Sequence, residues 1–241
     1  MSKFHSFYIS FTMILFSEIG DKTFIIAAIL AMKHSRFLVF SSSMSALALM
    51  TILSAALGSF FPVFLSRHLL EIVVQLLFLG FGLKMIREGL LMTGQETQQE
   101  LDSVQMEIDN MEKAEEMDRL ESGNTISIND STSYIPKSKF LQFLYRIYKR
   151  IYQLFHPVWI EGFVLTFLAE WGDRSQVTTI ALAGSEDFWW VSIGSVLGHA
   201  VCTGIAVLGG RLLASKISVR VVTLLGGFLF IIFGLLSIFY K

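Results

Sequence analysis

Residues 18–23 read Glu-Ile-Gly-Asp-Lys-Thr, and the same pattern returns 152 positions later, where residues 170–175 read Glu-Trp-Gly-Asp-Arg-Ser. Each copy lies within a long apolar run, so six charged side chains fall where a membrane helix normally carries none. A charged residue at the centre of a membrane helix costs roughly 2.5–3.5 kcal/mol on the insertion scale. These six side chains must therefore face one another, water or an ion instead of lipid.

The composition is that of a protein embedded in a membrane. Of the 241 residues, 53% are hydrophobic and only three are proline, and the mean hydropathy is +0.60. The net charge is −1, with most acids between residues 96 and 130, so no nucleic-acid surface is indicated. The single cysteine, Cys202, excludes a disulfide framework within the chain and a cage of thiolate ligands.

The hydrophobic pattern predicts an all-α polytopic membrane protein with six transmembrane helices. Each predicted span holds about 20 or more mostly apolar residues, enough to cross a hydrocarbon core roughly 30 Å thick. The spans are residues 7–31, 37–57, 69–91, 158–184, 188–208 and 218–240. Residues 1–92 form a first three-helix repeat, 93–157 a loop and 158–241 a second three-helix repeat. Because each half has an odd number of spans, the second half is inverted relative to the first.

A further match supports the internal duplication. Phe81-Gly82-Leu83 in the third predicted span matches Phe233-Gly234-Leu235 in the sixth, again 152 positions apart. Inverted repeats with a binding site at their interface in the middle of the membrane are a recurring transporter architecture. The sequence therefore predicts two inverted three-helix repeats with both charged motifs where they meet.

The basic residues predict the orientation of the chain. Of the 19 Lys and Arg, two lie in the motifs, three on the side of the chain ends and fourteen on the side of the 93–157 loop. Cytoplasmic loops carry the excess of Lys and Arg. The loop is therefore predicted to be cytosolic, with both termini lumenal or extracellular.

The 93–157 loop has an acidic part and a basic part. Residues 95–130 hold eleven acids and two bases, with four apolar side chains at helical spacing: Leu101, Val104, Ile108 and Met111. A solvated, partly disordered linker is the preferred interpretation, and a short acidic helix or weak coiled coil is the alternative. Residues 137–155 mix basic and aromatic side chains and predict an interfacial helix that leads into the fourth span.

Both motifs supply hard oxygen ligands. The Glu and Asp of each motif are three residues apart, so they lie on one face of a helix. The glycine between them permits another backbone to approach closely, or the helix to unwind. Oxygen donors suit Ca²⁺ or Mn²⁺, and they suit neither copper nor a closed structural zinc site. The predicted metal ligands are Glu18, Asp21, Thr23, Glu170, Asp173, Ser175 and Gln176.

The motif charges predict an exchange of cation for protons. The four carboxylates with Lys22 and Arg174 leave a formal charge of −2, which one divalent cation or two protons would neutralise. Cation and protons then compete for the same oxygens. Lys22 and Arg174 balance charge, either beside the cation or paired with Asp21 and Asp173 across the repeat axis. His199 is a candidate proton relay or a packing residue.

The same charged residues are compatible with three alternatives to an exchanger. Buried salt bridges that only fix helix packing are an inefficient explanation, because such pairs often fail to repay their desolvation. An intramembrane aspartyl protease needs two aspartates that share a proton, whereas Lys22 and Arg174 each adjoin an aspartate here. A passive cation channel with an acidic constriction stays open on the sequence alone.

At these residues the chain resembles the Golgi-type calcium/manganese:proton exchangers, a family defined by two Glu-x-Gly-Asp-[Lys/Arg]-[Thr/Ser] motifs. Both motifs match at every position, and the resemblance covers all six predicted spans and the acidic loop. It implies a multi-pass Golgi membrane protein that moves Ca²⁺ and Mn²⁺ into a secretory compartment against H⁺. We accordingly expect a transporter and not an enzyme, with the two ions as substrates, no resident cofactor, membrane lipid as a partner and no nucleic acid.

Overall fold

The computed structural model describes residues 3–64, 66–92, 96–123, 156–214 and 218–239. Within these residues the fold is entirely α-helical, which confirms the predicted class. The helices are α1 (Lys3–Glu18), α2 (Lys22–Lys33), α3 (Arg36–Phe64), α4 (Arg67–Leu91), α5 (Glu96–Gly123), α6 (Pro157–Ala169), α7 (Arg174–Ser185), α8 (Phe188–Ala214) and α9 (Val219–Phe239).

Four helices in the described part of the chain, α3, α4, α8 and α9, are long and apolar enough to cross a membrane. They coincide with the second, third, fifth and sixth predicted spans. Their outward surfaces carry large apolar side chains that no other helix covers, such as Leu76 at 64% and Leu208 at 71% exposure. A surface of this kind faces lipid, so the protein is a multi-pass membrane protein.

The predicted spans at 7–31 and 158–184 are each broken into two helices, which is the unwinding at the motif glycine that the sequence left open. The first region forms α1 and α2, and the second forms α6 and α7. Both breaks fall on the charged motifs, between Glu18 and Lys22 and between Ala169 and Arg174. None of the four resulting helices is long enough to span a membrane by itself, because each has only 12 to 16 residues.

The physical reason for both breaks is a glycine in the left-handed conformation. Gly20 has φ 80° and Gly172 has φ 84°, a region that interrupts a right-handed helix and that glycine enters without strain. The chain re-enters helix at Asp21 and Asp173, which are both N-cap residues with extended backbone. The two motifs therefore have the same backbone shape.

The two halves of the chain are packed into each other. α3 lies against α6, α7 and α8, while α8 also lies against α1 and α2, and α4 packs along α9. The α4–α9 contact depends on small residues, since a Cβ atom at Gly82 would lie 2.9 Å from the carbonyl oxygen of Gly227. This interlocking buries the glutamate at each break, Glu18 and Glu170.

The acidic segment is a helix, so the preferred linker interpretation is wrong for residues 96–123. α5 contacts α2, and its side chains Leu101, Val104 and Ile108 are almost completely buried in the same apolar cluster as Leu30. The apolar stripe is the physical reason, because a helix forms readily when one face is buried against a partner. The interfacial helix predicted at 137–155 lies outside the described residues.

Candidate functional site

The two motif glutamates lie at the ends of the first half-helices. Glu18 is the last residue of α1, Glu170 follows the last residue of α6, and each is only 2% exposed. Thr23 connects them, because its hydroxyl donates to Oε1 of Glu170 at 2.6 Å and lies 3.4 Å from Oε2 of Glu18. A residue of the first motif thus bonds directly to the second.

The second motif repeats part of this arrangement. The hydroxyl of Ser175 donates to Oε2 of Glu170 at 3.2 Å. Ser175 follows Glu170 by five residues, just as Thr23 follows Glu18 by five residues and approaches its carboxylate. Both hydroxyl residues are buried, at 5% exposure for Thr23 and 4% for Ser175. Each glutamate therefore has a hydroxyl from the first turn of the following half-helix.

The two aspartates lie together beside this buried pair. Asp173 caps α7 by accepting from the backbone N–H of Ser175 at 3.2 Å. Arg174 donates to Oδ1 of Asp21 at 3.1 Å, and its Nε lies 3.9 Å from Oδ1 of Asp173. One guanidinium group thus lies between the aspartates of both halves, where its fixed fork can hold both carboxylates.

Three carboxylates are close enough to share one cation. Glu18, Glu170 and Asp173 each offer an oxygen, and these atoms all lie within 4.8 Å of one another. Ligand oxygens lie about 2.3–2.6 Å from Ca²⁺, so two oxygens on one ion are at most about 5 Å apart. The spacing is therefore suitable for a single divalent cation of this size.

Three further predicted site residues, Lys22, Gln176 and His199, make no hydrogen bond to the three clustered carboxylates in the described structure. The Nζ atom of Lys22 lies 2.8 Å from Oε2 of Glu107 on α5. The side-chain oxygen of Gln176 accepts from the backbone N–H of Gly172 at 2.7 Å. Nδ1 of His199 lies 3.9 Å from Oε2 of Glu18, too far for a hydrogen bond.

Two cavities of very different size adjoin the carboxylates. The larger has a volume of about 470 Å³, is bordered by Asp21, Asp173 and Arg174, and reaches Glu88 near the end of α4 and Val219 at the beginning of α9. The smaller has a volume of about 10 Å³. It is bordered by Glu170, Ser175, Gln176, Thr179, His199 and, on α3, by Leu47, Met50, Thr51 and Ser54.

Sequence reasoning missed the residues that extend these cavities away from the motifs. Glu88 lies one helical turn after Lys84, with 3.7 Å between Oε1 and Nζ, a spacing that in sequence indicates an ordinary surface pair. Thr51 and Ser54 are isolated small residues in an apolar helix, where close packing explains them equally well. Only the tertiary arrangement connects these residues with the carboxylates.

Comparison with known proteins identifies relatives along almost the whole chain. The sequence model of the family "Divalent cation/proton antiporter GDT1" matches residues 6–93 and 158–241. "Divalent cation/proton antiporter GDT1" of Saccharomyces cerevisiae is 43% identical over 239 residues, 99% of this chain and 85% of the relative. "GDT1-like protein 3" of Arabidopsis thaliana is 42% identical over 99% of this chain and 72% of the relative. No solved structure matches the chain.

Proposed function

Because the chain belongs to the GDT1 family of divalent cation/proton antiporters, we propose that it exchanges Ca²⁺ or Mn²⁺ for protons across a Golgi membrane. As a transporter it is not an enzyme, so the aspartyl protease alternative is excluded. The observation that carries the proposal is the 2.6 Å hydrogen bond from Thr23 to Glu170, which joins the motifs of both halves in one buried site.

The donor set favours a hard divalent cation as the substrate. Glu18, Glu170 and Asp173 would hold the ion, with the hydroxyls of Thr23 and Ser175 as further oxygen ligands. Ca²⁺ and Mn²⁺ both prefer carboxylate, hydroxyl and carbonyl oxygens over sulfur. Both ions are therefore assigned as substrates, and Asp21 serves mainly to hold Arg174.

The charges of the site explain the coupling to protons. Lys22 pairs with Glu107 outside the motifs, so the four motif carboxylates and Arg174 alone leave a formal charge of −3. One divalent cation with one proton neutralises this charge, and so do three protons. The form with the cation and the form with three protons therefore interconvert by exchanging one divalent cation for two protons. This exchange moves no net charge through the buried site.

The architecture supports a mechanism in which the two halves move against each other. α1 to α4 correspond in order to α6 to α9, and both half-helix breaks have the same backbone shape. Because the two half-helices of each half together form one span, we assign the halves as two inverted three-helix repeats, 1–92 and 158–241. The segment 93–157 separates them. Rocking of one repeat would expose the carboxylates alternately to the two sides of the membrane.

The orientation proposed here places the large cavity on the cytosolic side. The excess of basic residues assigns segment 93–157 to the cytosol and both termini to the lumen. The large cavity reaches Met92 after α4, next to that segment. Ca²⁺ or Mn²⁺ would then enter from the cytosol at Glu88 and leave into the Golgi lumen in exchange for lumenal protons.

The test is uptake of Ca²⁺ and Mn²⁺ into proteoliposomes with an imposed pH gradient. Glu18→Gln and Glu170→Gln should each abolish uptake, because each removes a buried carboxylate ligand and its proton site. Glu71→Gln on α4 is the matched control, an exposed glutamate on a membrane helix that borders neither cavity. Equal uptake with and without the pH gradient would instead identify a passive cation channel.

A further inference from the structure

The small cavity behind Glu170 is bordered by several hydroxyl side chains. Besides Ser175, three of its residues carry buried hydroxyl groups: Thr51 is 3%, Ser54 2% and Thr179 1% exposed. Its volume of about 10 Å³ is close to the minimum for a single water molecule. The wall is therefore chemically suited to a polar occupant, although the space is almost closed.

Two polar groups of this wall lack partners. Within the described residues, Oγ of Ser54 and Nδ1 of His199 make no hydrogen bond. A buried polar group without a partner costs about 1–3 kcal/mol. Two such groups, one on α3 and one on α8, indicate that the wall binds something in another state of the protein.

Two hydroxyls of α7 have no counterpart on α2 of the first repeat. At the positions 152 residues before Thr178 and Thr179 the chain has Ile26 and Ala27, which are buried in the apolar cluster of α2. Close packing of two equivalent half-helices would not require hydroxyls at these two positions on α7 alone. The hydroxyl of Thr179 on the cavity wall therefore serves a function of α7 that α2 does not share.

The small cavity lies toward the opposite membrane face from the large one. Only residues 65 and 66 separate α3 from α4, so the end of α3 and the beginning of α4 are on the same side of a membrane that both cross. Ser54 lies in the second half of α3, toward this side. Glu88, which borders the large cavity, lies three residues before the other end of α4.

We propose that the small cavity is the closed half of the transport path, and that Thr51, Ser54 and Thr179 bind the divalent cation after it leaves Glu170. Their hydroxyl oxygens replace water around the ion, as oxygen ligands of Ca²⁺ and Mn²⁺ do. When the repeats rock, this half widens while the 470 Å³ cavity closes. The inference rests on the proposed function, because a passing cation is the occupant that gives the hydroxyl of Ser54 a partner. The hydroxyl of Thr51 donates to the carbonyl oxygen of Leu47, and its oxygen can still contact a cation.

The first experiment measures from which membrane face each cavity is reached. Ser54→Cys and Glu88→Cys are made separately in a Cys202→Ala background, which removes the one native thiol. Each protein is reconstituted, and a small membrane-impermeant methanethiosulfonate reagent is added to one face at a time. We expect Glu88→Cys to react from one face and Ser54→Cys from the other, several-fold faster during Mn²⁺/H⁺ exchange than without gradients.

Reaction of Ser54→Cys from the same face as Glu88→Cys would overturn the inference. So would no reaction from either face in a variant that still transports. If Ser54→Cys does not reconstitute, Thr179→Cys takes its place with the same expected result. The labelling pattern can be measured even where wild-type protein shows no uptake, so failure of the proposed function and failure of this inference remain distinguishable.

The second experiment tests the hydroxyl groups themselves. Thr179→Val keeps the shape of the side chain, removes the oxygen and should lower the Mn²⁺ exchange rate several-fold. Binding of Mn²⁺ to the detergent-solubilised protein should change little, because the carboxylates remain. Thr203→Val is the control, since Thr203 is equally buried but borders neither cavity. Equal exchange rates in the two variants would contradict the assignment.

Discussion

The guanidinium group of Arg174 donates to Oδ1 of Asp21 at 3.1 Å, from the second half of the chain to the first. The corresponding cation of the first motif, Lys22, instead pairs with Glu107 of α5 at 2.8 Å. The two motifs are equivalent in sequence and in backbone shape, yet their cations have different partners. The site is therefore asymmetric in this state, because the basic side chain of Arg174 lies between the aspartates and that of Lys22 lies on the surface of α5.

This asymmetry predicts that removing the positive charge of Arg174 and removing that of Lys22 have unequal effects. Arg174→Gln should lower the rate of Ca²⁺ or Mn²⁺ uptake by roughly tenfold or more, since a hydrogen bond between charged groups contributes about 1.5–3 kcal/mol. Lys22→Gln should have a much smaller effect, because Lys22 is 41% exposed and pairs outside the motifs. Both effects are measured as changes in the initial uptake rate in proteoliposomes. A larger loss for Lys22→Gln would contradict the charge assignment.

The glycines at the two breaks should be sensitive to any side chain. Gly172→Ala has space for its Cβ, since no atom lies within 4 Å, so its cost comes from φ 84° alone. A left-handed residue other than glycine costs about 1–2 kcal/mol. Thermal unfolding in detergent should show a lower Tm for this variant. Gly80→Ala, on α4 and equally without neighbours within 4 Å, is the control and should not lower Tm.

The sequence predicts the parts of this fold that depend on local pattern. The four continuous spans follow from apolar length alone. The broken helices were only one of two possibilities at the motif glycines, because an apolar run around Gly20 has the same composition whether the glycine is helical or left-handed. The charge of residues 96–123 suggests a solvated linker, whereas three buried side chains and contact with α2 determine the structure of α5. Thr51 and Ser54 join the site only through tertiary packing.

The docking of α5 on α2 should depend on its apolar stripe. Ile108 is fully buried against this cluster, and burial of such a side chain contributes about 1.5–3 kcal/mol. Ile108→Asn should therefore make α5 more accessible to proteases in the detergent-solubilised protein. Met106→Asn is the matched control, because Met106 is 65% exposed on the same helix. Equal cleavage rates within α5 in both variants would show that the stripe does not hold the helix.

The ion pair between α5 and the end of α2 predicts how docking responds to acid. Lys33 donates to Oδ1 of Asp109 at 2.8 Å, and Gln105 donates to the same oxygen at 2.8 Å. These bonds, the one from Lys33 above all, lower the pKa of Asp109 from its ordinary value of 3.8. The pair therefore stabilises docking above that ordinary value and loses its effect as the pH falls through the lowered pKa.

Hydrogen exchange of the α5 backbone, corrected for the intrinsic rate at each pH, measures this dependence. Protection should stay constant from pH 7 to 5 and decrease only below about pH 4. Asp109→Asn should weaken protection at pH 7 and remove much of the decrease in acid. Asp102→Asn on the same helix is the control, because its carboxylate accepts from Gln98 of α5 and not from α2. Since stabilisation by a charged Asp109 is complete at pH 5, a loss of protection between pH 7 and 5 would show that another group controls the docking.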